Sequence, residues 1–383
     1  MIIVLSTTIF LGFYLLYFVL CVLSLRLINP VTIEKTAEAA YDSLPKVSMV
    51  IPVYNEARVI SKKIEDIGKT RYPASKLEAV FVDGGSTDGT ADLIERECKS
   101  ISPSVRVIRQ GYRKGFNAAV IEGFLETTGD IICIPGAETE YEQDALRNLV
   151  VHLLDERVGA VTGRQQIRNL AEGAAPALEM SYRNLYDFIR AAESRIDSPF
   201  DLKGEISACR RSICADLVER NPFGSKGCID ACFVFEAKLA GYKTVYEPNA
   251  VYYEQVASSV RDSLKQRIRR AATLIQNMMI FKDMILNSRY GAFGMIIMPA
   301  HFLMLTVLPF FLVFGASGLL GLILFSSNSI VFAILAIVAV LATLLSHELQ
   351  AFWVTQIVLV TAVLRLLIGI ETQKFERLES TRQ

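Results

Sequence analysis

The sequence predicts an α/β domain built on a mostly parallel sheet, with transmembrane helices on its N-terminal and C-terminal sides. Hydrophobic residues make up 52% of the 383 positions, and the mean hydropathy is +0.35, which is high for a water-soluble protein. The excess is concentrated at the two ends, and the middle has the composition of a globular domain. In that middle part short apolar runs alternate with helical patterns, which is typical of strands connected by helices.

The first apolar segment is an uncharged run over residues 2–25. Because about 20 apolar residues cross a bilayer core as a helix, we expect residues 1–25 to form an N-terminal transmembrane anchor. A cleaved signal peptide is the alternative, but no basic residue precedes the run and no clear small-residue cleavage site follows it. Arg26 and Lys35 come next, and the positive-inside rule then places the following domain in the cytoplasm.

Near the C-terminus, three apolar runs predict a membrane region over residues 292–370, followed by a tail at 371–383. The runs cover residues 292–325, 330–345 and 351–370, with Arg365 as the one Lys, Arg, Asp or Glu among them. Buried helices of a large soluble protein are the alternative, and the scarcity of charge argues against it. We therefore expect a multi-pass protein of the cell membrane.

The number of C-terminal spans stays open at this point. The run at 292–325 is too long for one upright helix and contains Pro299 and Pro309. One kinked span and a span joined to a re-entrant segment both fit this pattern.

The charge balance does not favour nucleic-acid binding, and the cysteine pattern does not favour disulfide bonds. Acidic and basic residues number 40 each, so we expect no nucleic-acid partner. The seven cysteines include no CxxC pair, which favours reduced thiols in a cytoplasmic domain.

The central domain is expected over residues 46–256. Its first half predicts strands at 47–51, 77–82, 105–108 and 130–134, with helices ending near 67 and covering 91–98 and 117–125. Such units have parallel strands, and ligands collect at the carboxyl ends of those strands. Asp83 and Glu138 follow the second and fourth strands, so we expect a binding site there.

Three motifs in this domain carry a family resemblance. VIPVYNE at 50–56, VDGGSTDGT at 82–90 and RKGFNAA at 113–119 together resemble the family-2 inverting glycosyltransferases, over roughly residues 47–280. The membrane layout extends the resemblance to hyaluronan-, chitin- and cellulose-synthase-like members. It implies the GT-A fold and transfer of a hexose from a nucleotide-sugar donor, most commonly a UDP-sugar, with inversion.

The resemblance also implies a nucleotide site. The residues that would form it are Pro52, Tyr54, Glu56, Asp83 and Lys114, with Asp83 bonding the base and Lys114 lying near the phosphates. A turn residue that caps the next helix is the alternative for Asp83, although Asp88 is better placed for that role.

The metal motif departs from the family pattern. Relatives have Asp-x-Asp after the fourth strand, where this chain has Gly136-Ala137-Glu138. Glu138 keeps one carboxylate for Mn²⁺ or Mg²⁺, which prefer oxygen ligands, so we expect altered or weakened metal binding. The alternative is a non-catalytic membrane protein that binds nucleotide sugars.

Asp230 is the candidate general base. Residues 201–211 resemble the segment that precedes this base in relatives, which carry Glu-Asp or Asp-Asp where Ile229-Asp230 stands here. The missing first acid removes a neighbour that would raise the pKa of Asp230. A helix N-cap is the alternative role.

An amphipathic helix is predicted over residues 258–290, with basic residues in its first half. Gln266 and Arg269 stand where relatives have Gln-x-x-Arg-Trp, and Arg270 replaces the tryptophan. The resemblance implies that Arg269 stabilises the diphosphate and that Gln266 positions the acceptor. A helix that lies on an anionic membrane surface is the rival interpretation of the same basic residues.

We expect a lipid-linked or glycan acceptor. A processive polysaccharide synthase remains the alternative within the same class, and the oligomeric state is left open.

Overall fold

The computed structural model describes residues 2–29, 43–101, 103–172, 174–222, 227–325 and 329–369. Lys35 and the predicted tail at 371–383 lie outside these residues. The strands are β1 Val47–Val53, β2 Leu77–Asp83, β3 Ser104–Arg109, β4 Ile131–Cys133, β5 Glu140–Tyr141, β6 Val158–Ile167, β7 Ser207–Arg210 and β8 Lys243–Glu254. They form one eight-stranded sheet in the order β3-β2-β1-β4-β7-β6-β8-β5.

Helices cover both faces of this sheet and extend beyond it at the two ends of the chain. They are α1 Ile2–Leu27, α2 Ile60–Lys69, α3 Thr90–Glu97, α4 Phe116–Leu125, α5 Ala145–His152, α6 Ala174–Ile196, α7 Arg211–Arg220, α8 Phe233–Leu239, α9 Val260–Ile280, α10 Met298–Phe302, α11 Leu308–Phe325, α12 Ser329–Leu345 and α13 His347–Leu367.

The first four strands confirm the predicted parallel half of the sheet. β1 pairs in parallel with β2 and β4, and β2 pairs in parallel with β3. The second half is mixed, because β7 runs antiparallel to β4 and β6, and β5 runs antiparallel to β8. The carboxyl ends of β1, β2 and β4 therefore meet at one edge of the sheet.

Alternate residues of β1 supply two separate cores. Met49 and Ile51 pack on the face covered by α2, α3 and α5, whereas Val50 packs on the opposite face. The Val50 core contains α4 and α8 and continues through α9 to Leu305 and Leu359 in the C-terminal helices. The globular domain and the C-terminal helices thus share one apolar core.

Three described helices are long and apolar enough to cross a membrane. They cover Ile9–Leu27, Phe293–Leu324 and His347–Leu367, and the shorter apolar helix Ile330–Leu345 lies between the last two. The second of them is interrupted by two π-helical turns, Phe293–Ile297 and Leu303–Val307.

Each π-helical turn ends just before a proline. Pro299 and Pro309 are the second residues of α10 and α11. Because proline lacks an N–H and its ring clashes with the preceding turn, the helix widens there and then continues. Phe293–Leu324 is thus one helical stretch with two π-helical turns, which agrees with the first of the two open alternatives, a single span.

The N-terminal helix is attached to α6 by polar contacts. Arg195 donates hydrogen bonds to the carbonyl oxygens of Leu25, at the end of α1, and Ile28. Higher on the same interface, Glu193 Oε1 lies 2.5 Å from Tyr17 Oη and 2.5 Å from His301 Nε2 of α10. One buried carboxylate thus contacts helices from both ends of the chain.

The amphipathic helix predicted over 258–290 is α9, and it packs between α6 and α13. Ser259 caps it by accepting a hydrogen bond from Asp262 N at 3.1 Å. Arg261 and Lys265 are exposed, but Arg267 is buried. The basic residues of α9 therefore divide between solvent and the interior.

Candidate active site

A cavity of about 410 Å³ opens at the carboxyl ends of β1 and β4 and extends between α6, α9 and α13. This volume is in the range of small-molecule sites. The predicted site residues that line it are Pro52, Tyr54, Glu56, Glu138, Asp230, Gln266 and Arg269. The sequence thus predicted residues that lie far apart in the chain but close together in space.

At one end of the cavity, the turn after β1 is held against the loop after β2. Asn55 has a left-handed φ of 56°, and its side chain accepts a hydrogen bond from Thr87 N at 2.8 Å. Its own N–H donates to Ser86 Oγ at 2.8 Å. Asparagine tolerates this conformation better than most residues, so the motif places Tyr54 and Glu56 on the cavity wall.

Asp83 and Lys114 are absent from the described cavity wall. Asp83 is buried, and its carboxylate accepts a hydrogen bond from Ser86 N at 3.1 Å. Lys114 is turned toward Glu122, at 3.2 Å. Arg113 lines the cavity instead, with its guanidinium carbon 4.3 Å from the centre of the Tyr54 ring.

The capping alternative raised for Asp83 is not observed, because the N-cap of α3 is Gly89. Asp88 Oδ1 accepts a hydrogen bond from Thr90 N, the first residue of α3, at 3.1 Å. Asp83 instead closes the turn that precedes this helix.

Glu138 supplies a carboxylate to the cavity beyond β4. Among the described residues there is no group of three or more acidic, histidine or cysteine side chains placed to hold a metal ion. Mg²⁺ and Mn²⁺ sites that act on phosphates commonly use one or two carboxylates and take further ligands from the substrate and water. The residues present fit an ion that binds together with a diphosphate, with Glu138 as its protein ligand.

Asp230 begins a short 3₁₀ turn ahead of α8, whose N-cap is Cys232. Asp230 is therefore not the N-cap of α8. Its Oδ1 accepts a hydrogen bond from Ala231 N at 2.9 Å. Burial raises the pKa of Asp230 to about 6, and the nearby Glu205 carboxylate adds to the increase, although Ile229 has replaced the family's first acid.

Gln266 and Arg269 lie on the face of α9 that lines the cavity. Burial, with the neighbouring charge of Arg270, lowers the pKa of Arg269 to about 10, so its guanidinium is still charged at neutral pH. Arg270, which stands in place of the family's tryptophan, lies 3.4 Å from Glu254 and 3.7 Å from Glu179. An ion-pair cluster thus occupies the position of an aromatic side chain.

The far end of the cavity combines buried ion pairs with apolar side chains. Arg183 Nη2 lies 2.7 Å from Glu179 Oε1, and Arg267 Nε lies 3.6 Å from Glu179 Oε2. The apolar part of the wall is formed by Leu305, Val358 and Leu359, which belong to helices long enough to span a membrane. The cavity therefore passes from a polar end to an apolar one.

Sequence reasoning overlooked several residues of this wall. Arg113 lies in a quoted motif directly before Lys114, and the motif alone does not indicate which of the two cations faces the cavity. Glu179 and Arg183 are four positions apart on α6, a spacing typical of a helical ion pair. Nothing local in the sequence indicates that this pair faces a cavity.

The fold is that of the GT-A glycosyltransferases. Residues 48–218 match the family described as Glycosyl transferase family 2, so the chain contains a domain of this family.

Two curated relatives agree with this assignment. The probable glycosyltransferase YdaM of Bacillus subtilis (strain 168) is 35% identical over 132 residues, covering 34% of this chain and 31% of YdaM. Poly-beta-1,6-N-acetyl-D-glucosamine synthase of Staphylococcus aureus (strain COL) is 25% identical over 243 residues, covering 63% of this chain and 57% of the synthase. The chain thus spans less than two thirds of the length of these relatives.

A solved structure matches almost the whole chain. A mannosyltransferase from Pyrobaculum calidifontis, in complex with GDP-Man and Mn²⁺, is similar with a TM-score of 0.79 and 25% identity. The match covers 97% of this chain and 99% of the mannosyltransferase. It therefore extends to the C-terminal helices as well as the sheet, and it confirms the predicted GT-A fold.

Proposed function

We propose that this protein is a membrane glycosyltransferase that moves a sugar from a nucleotide-sugar donor to a lipid-linked or glycan acceptor, with inversion. One observation carries the proposal. A single cavity runs from Tyr54 and Arg113, past Asp230, to Leu305 and Leu359 on the candidate membrane helices. A donor bound at the first end and an acceptor entering from the second would meet at Asp230.

In the proposed reaction, a hydroxyl oxygen of the acceptor attacks the anomeric carbon of the donor sugar. The bond from that carbon to the diphosphate oxygen breaks, and the nucleoside diphosphate leaves with the electron pair. Asp230 takes the proton of the hydroxyl. A single displacement of this kind inverts the anomeric centre, and a carboxylate with a pKa of about 6 is mostly ionised at neutral pH while still basic enough to assist.

The leaving diphosphate needs positive charge nearby. Arg269 and Arg113 line the cavity and supply guanidinium groups, which bond phosphate oxygens well. A divalent cation held by Glu138 would add Lewis-acid stabilisation of the leaving group.

Two classes of nucleotide sugar, UDP-sugars and GDP-mannose, are candidate donors. The family resemblance favours UDP-sugars, whereas the mannosyltransferase that matches 97% of this chain was solved with GDP-Man. We therefore place GDP-mannose beside the UDP-sugars as a first candidate donor.

The orientation follows from the N-terminal helix. Arg26 lies in the last turn of α1, where Arg195 of the globular domain donates a hydrogen bond to the Leu25 carbonyl oxygen. The positive-inside rule puts this end of α1 and the domain in the cytoplasm, where nucleotide sugars are made. We propose α1 as the N-terminal anchor, residues 292–370 as the C-terminal membrane region and α9 as the interfacial helix between them.

The test is release of nucleoside diphosphate by the detergent-purified full chain. GDP-mannose and a panel of UDP-sugars are each incubated with Mn²⁺, Mg²⁺ or EDTA. We expect metal-dependent release from one donor, and its loss in Asp230→Asn. Release that is as fast in Asp230→Asn as in the wild type, with donor binding intact, would remove Asp230 from the reaction. Donor binding without turnover, even with membrane lipid extract present, would favour the non-catalytic alternative.

A further inference from the structure

The backbone that leads into Asp230 is bonded to the side chain of Asn117, which lies near the start of α4. Asn117 Nδ2 donates a hydrogen bond to the Gly227 carbonyl oxygen at 3.2 Å. Its Oδ1 accepts one from Ile229 N, also at 3.2 Å. A carboxamide has a donor and an acceptor at its tip, so it can pair with backbone in this way. One side chain therefore fixes the backbone on both sides of Cys228.

Asn277 of α9 bonds the same backbone from a second element. Its Oδ1 accepts a hydrogen bond from Cys228 N at 3.1 Å, and the residue is fully buried. The side chain of Ile229 is buried in the apolar core that α4, α8 and α9 share. Residues 227–229 belong to no helix or strand. Because backbone outside regular structure depends on side chains to satisfy its polar groups, these bonds determine the path of the segment.

The path of this segment bears on Asp230, which follows Ile229 directly. On its other side the Asp230 carboxylate is packed closely against Gly204. Asn117 is absent from the described cavity wall, although Phe116 next to it lines the cavity. A side chain that does not reach the cavity acts on a reaction there only through the residue that it places.

We propose that Asn117 and Asn277 are positioning residues, which hold residues 227–229 so that the carboxylate of Asp230 faces the cavity. The proposal rests on the proposed function for the role of Asp230, and on the hydrogen bonds alone for the position of the segment. Both α4 and α9 contribute side chains to the cavity wall. The segment is therefore placed relative to two parts of that wall at once.

The thiol of Cys228 reports the position of the segment without any transfer reaction. It lines the cavity, and burial together with the Asp230 carboxylate raises its pKa well above the usual value. Movement of the segment into water would make this thiol more reactive. The full chain in a maltoside detergent is treated with iodoacetamide, and alkylation is followed by peptide mass spectrometry. Cys98, which is half-buried and absent from the described cavity wall, is the control thiol in the same digest.

We expect Asn117→Ala and Asn277→Ala each to speed the alkylation of Cys228 about fivefold to tenfold, because losing a hydrogen bond shifts a local opening equilibrium by about that factor. The alkylation of Cys98 should not change. Asn148→Ala is the matched control, since Asn148 on α5 also donates to a backbone carbonyl oxygen, at 2.8 Å. Unchanged alkylation of Cys228 in both variants, or the same increase in Asn148→Ala, overturns the proposal.

Donor kinetics separate positioning from a general loss of stability. Asn117→Ala should lower kcat about tenfold to 100-fold and leave the donor KM within about twofold, because the base moves and the donor end does not. Asn117→Asp keeps the acceptor for Ile229 N, so it should lose less activity, and it replaces Asn117→Ala if that variant does not fold.

Faster alkylation of Cys228 with an unchanged kcat would overturn the positioning role. Absence of turnover by the wild type with every donor would instead reject the proposed function, and the alkylation rates would still report how residues 227–229 are held.

Discussion

Gly204 packs against Asp230 so closely that a β-carbon at position 204 would overlap the carboxylate oxygen Oδ2. Gly204 lies in the turn ahead of β7, and Asp230 lies in the turn ahead of α8. The absence of a side chain at one position therefore sets where the candidate base sits at the other.

We expect Gly204→Ala to lower the rate of sugar transfer about 100-fold, because a misplacement of the base by about 1 Å has an effect of this size. Donor affinity should change little, since the carboxylate moves and the nucleotide end does not. Steady-state kinetics and donor titration measure the two effects. Gly111→Ala is the control, because no atom lies within 4 Å of its added β-carbon; similar losses in both variants would disprove the explanation.

The pH dependence of transfer should report Asp230. Because the pKa of Asp230 is raised to about 6 by burial, kcat/KM should decline about tenfold per pH unit below that value. The acid limb should be missing from the residual activity of Asp230→Asn. An acid limb centred near pH 4 in the wild type would show that the base has an ordinary pKa.

The same raised pKa makes a prediction for stability. Folding favours the protonated form of Asp230, so its stabilising contribution is present at low pH and is lost as the pH rises through about 6. At pH 8, Asp230→Asn should therefore have a free energy of unfolding about 1–2 kcal/mol larger than that of the wild type. Its thermal unfolding midpoint should be higher as well. The difference should disappear near pH 4, and a difference that grows toward low pH would contradict this sign.

Cation dependence should follow Glu138. We expect Glu138→Gln to raise the Mn²⁺ concentration needed for half-maximal transfer by about tenfold or more, because it removes a carboxylate from the proposed ion site. Titration of donor hydrolysis with Mn²⁺ measures this change. Exposed Glu172→Gln is the control, and equal Mn²⁺ curves for the two variants would place the ion elsewhere.

Arg267 connects α6 of the globular domain to α13, the last candidate membrane helix. It lies 3.6 Å from Glu179, its guanidinium carbon is 4.6 Å from the Tyr182 ring centre, and it donates to Thr355 Oγ1 at 3.0 Å. Arg267→Ala should destabilise the protein by about 3 kcal/mol, since it breaks a buried ion pair. Thermal unfolding in detergent measures the loss.

Arg261→Ala on the same helix removes an exposed charge and should change stability by less than about 0.5 kcal/mol. Equal effects of the two arginine variants would mean that α9 lies on the membrane surface with all its basic residues outward.

The sheet was predictable where local patterns determine it. The parallel strands β1 to β4 each begin and end within about three residues of the predicted positions, because apolar runs and turn residues mark them clearly. The antiparallel strand β7 was not predicted, since its four residues carry no alternation of their own and their pairing depends on β4 and β6.

Some residues of the candidate site could likewise be predicted from the sequence, and others could not. The family resemblance of the motifs was enough to predict that Tyr54, Glu138 and Asp230 belong to one site, and all three line the cavity. The orientation of the adjacent cations Arg113 and Lys114 was harder to predict. Which of them faces the cavity depends on the conformation of a loop and on the ion pair between Lys114 and Glu122. The exposure of the basic residues of α9 was hard to predict for a related reason. Arg267 is buried by α6 and α13, which are distant from it in sequence.

The contacts of Glu193 determine which fragments of this chain can be studied separately. Its carboxylate contacts Tyr17 in the first helix and His301, which follows it by 108 positions. A recombinant piece limited to residues 46–256 would contain the carboxylate without either of these contacts, and would leave the apolar surface of α6 in water. We therefore expect such a piece to aggregate on expression, and biochemical work to require the chain with its helices at both ends.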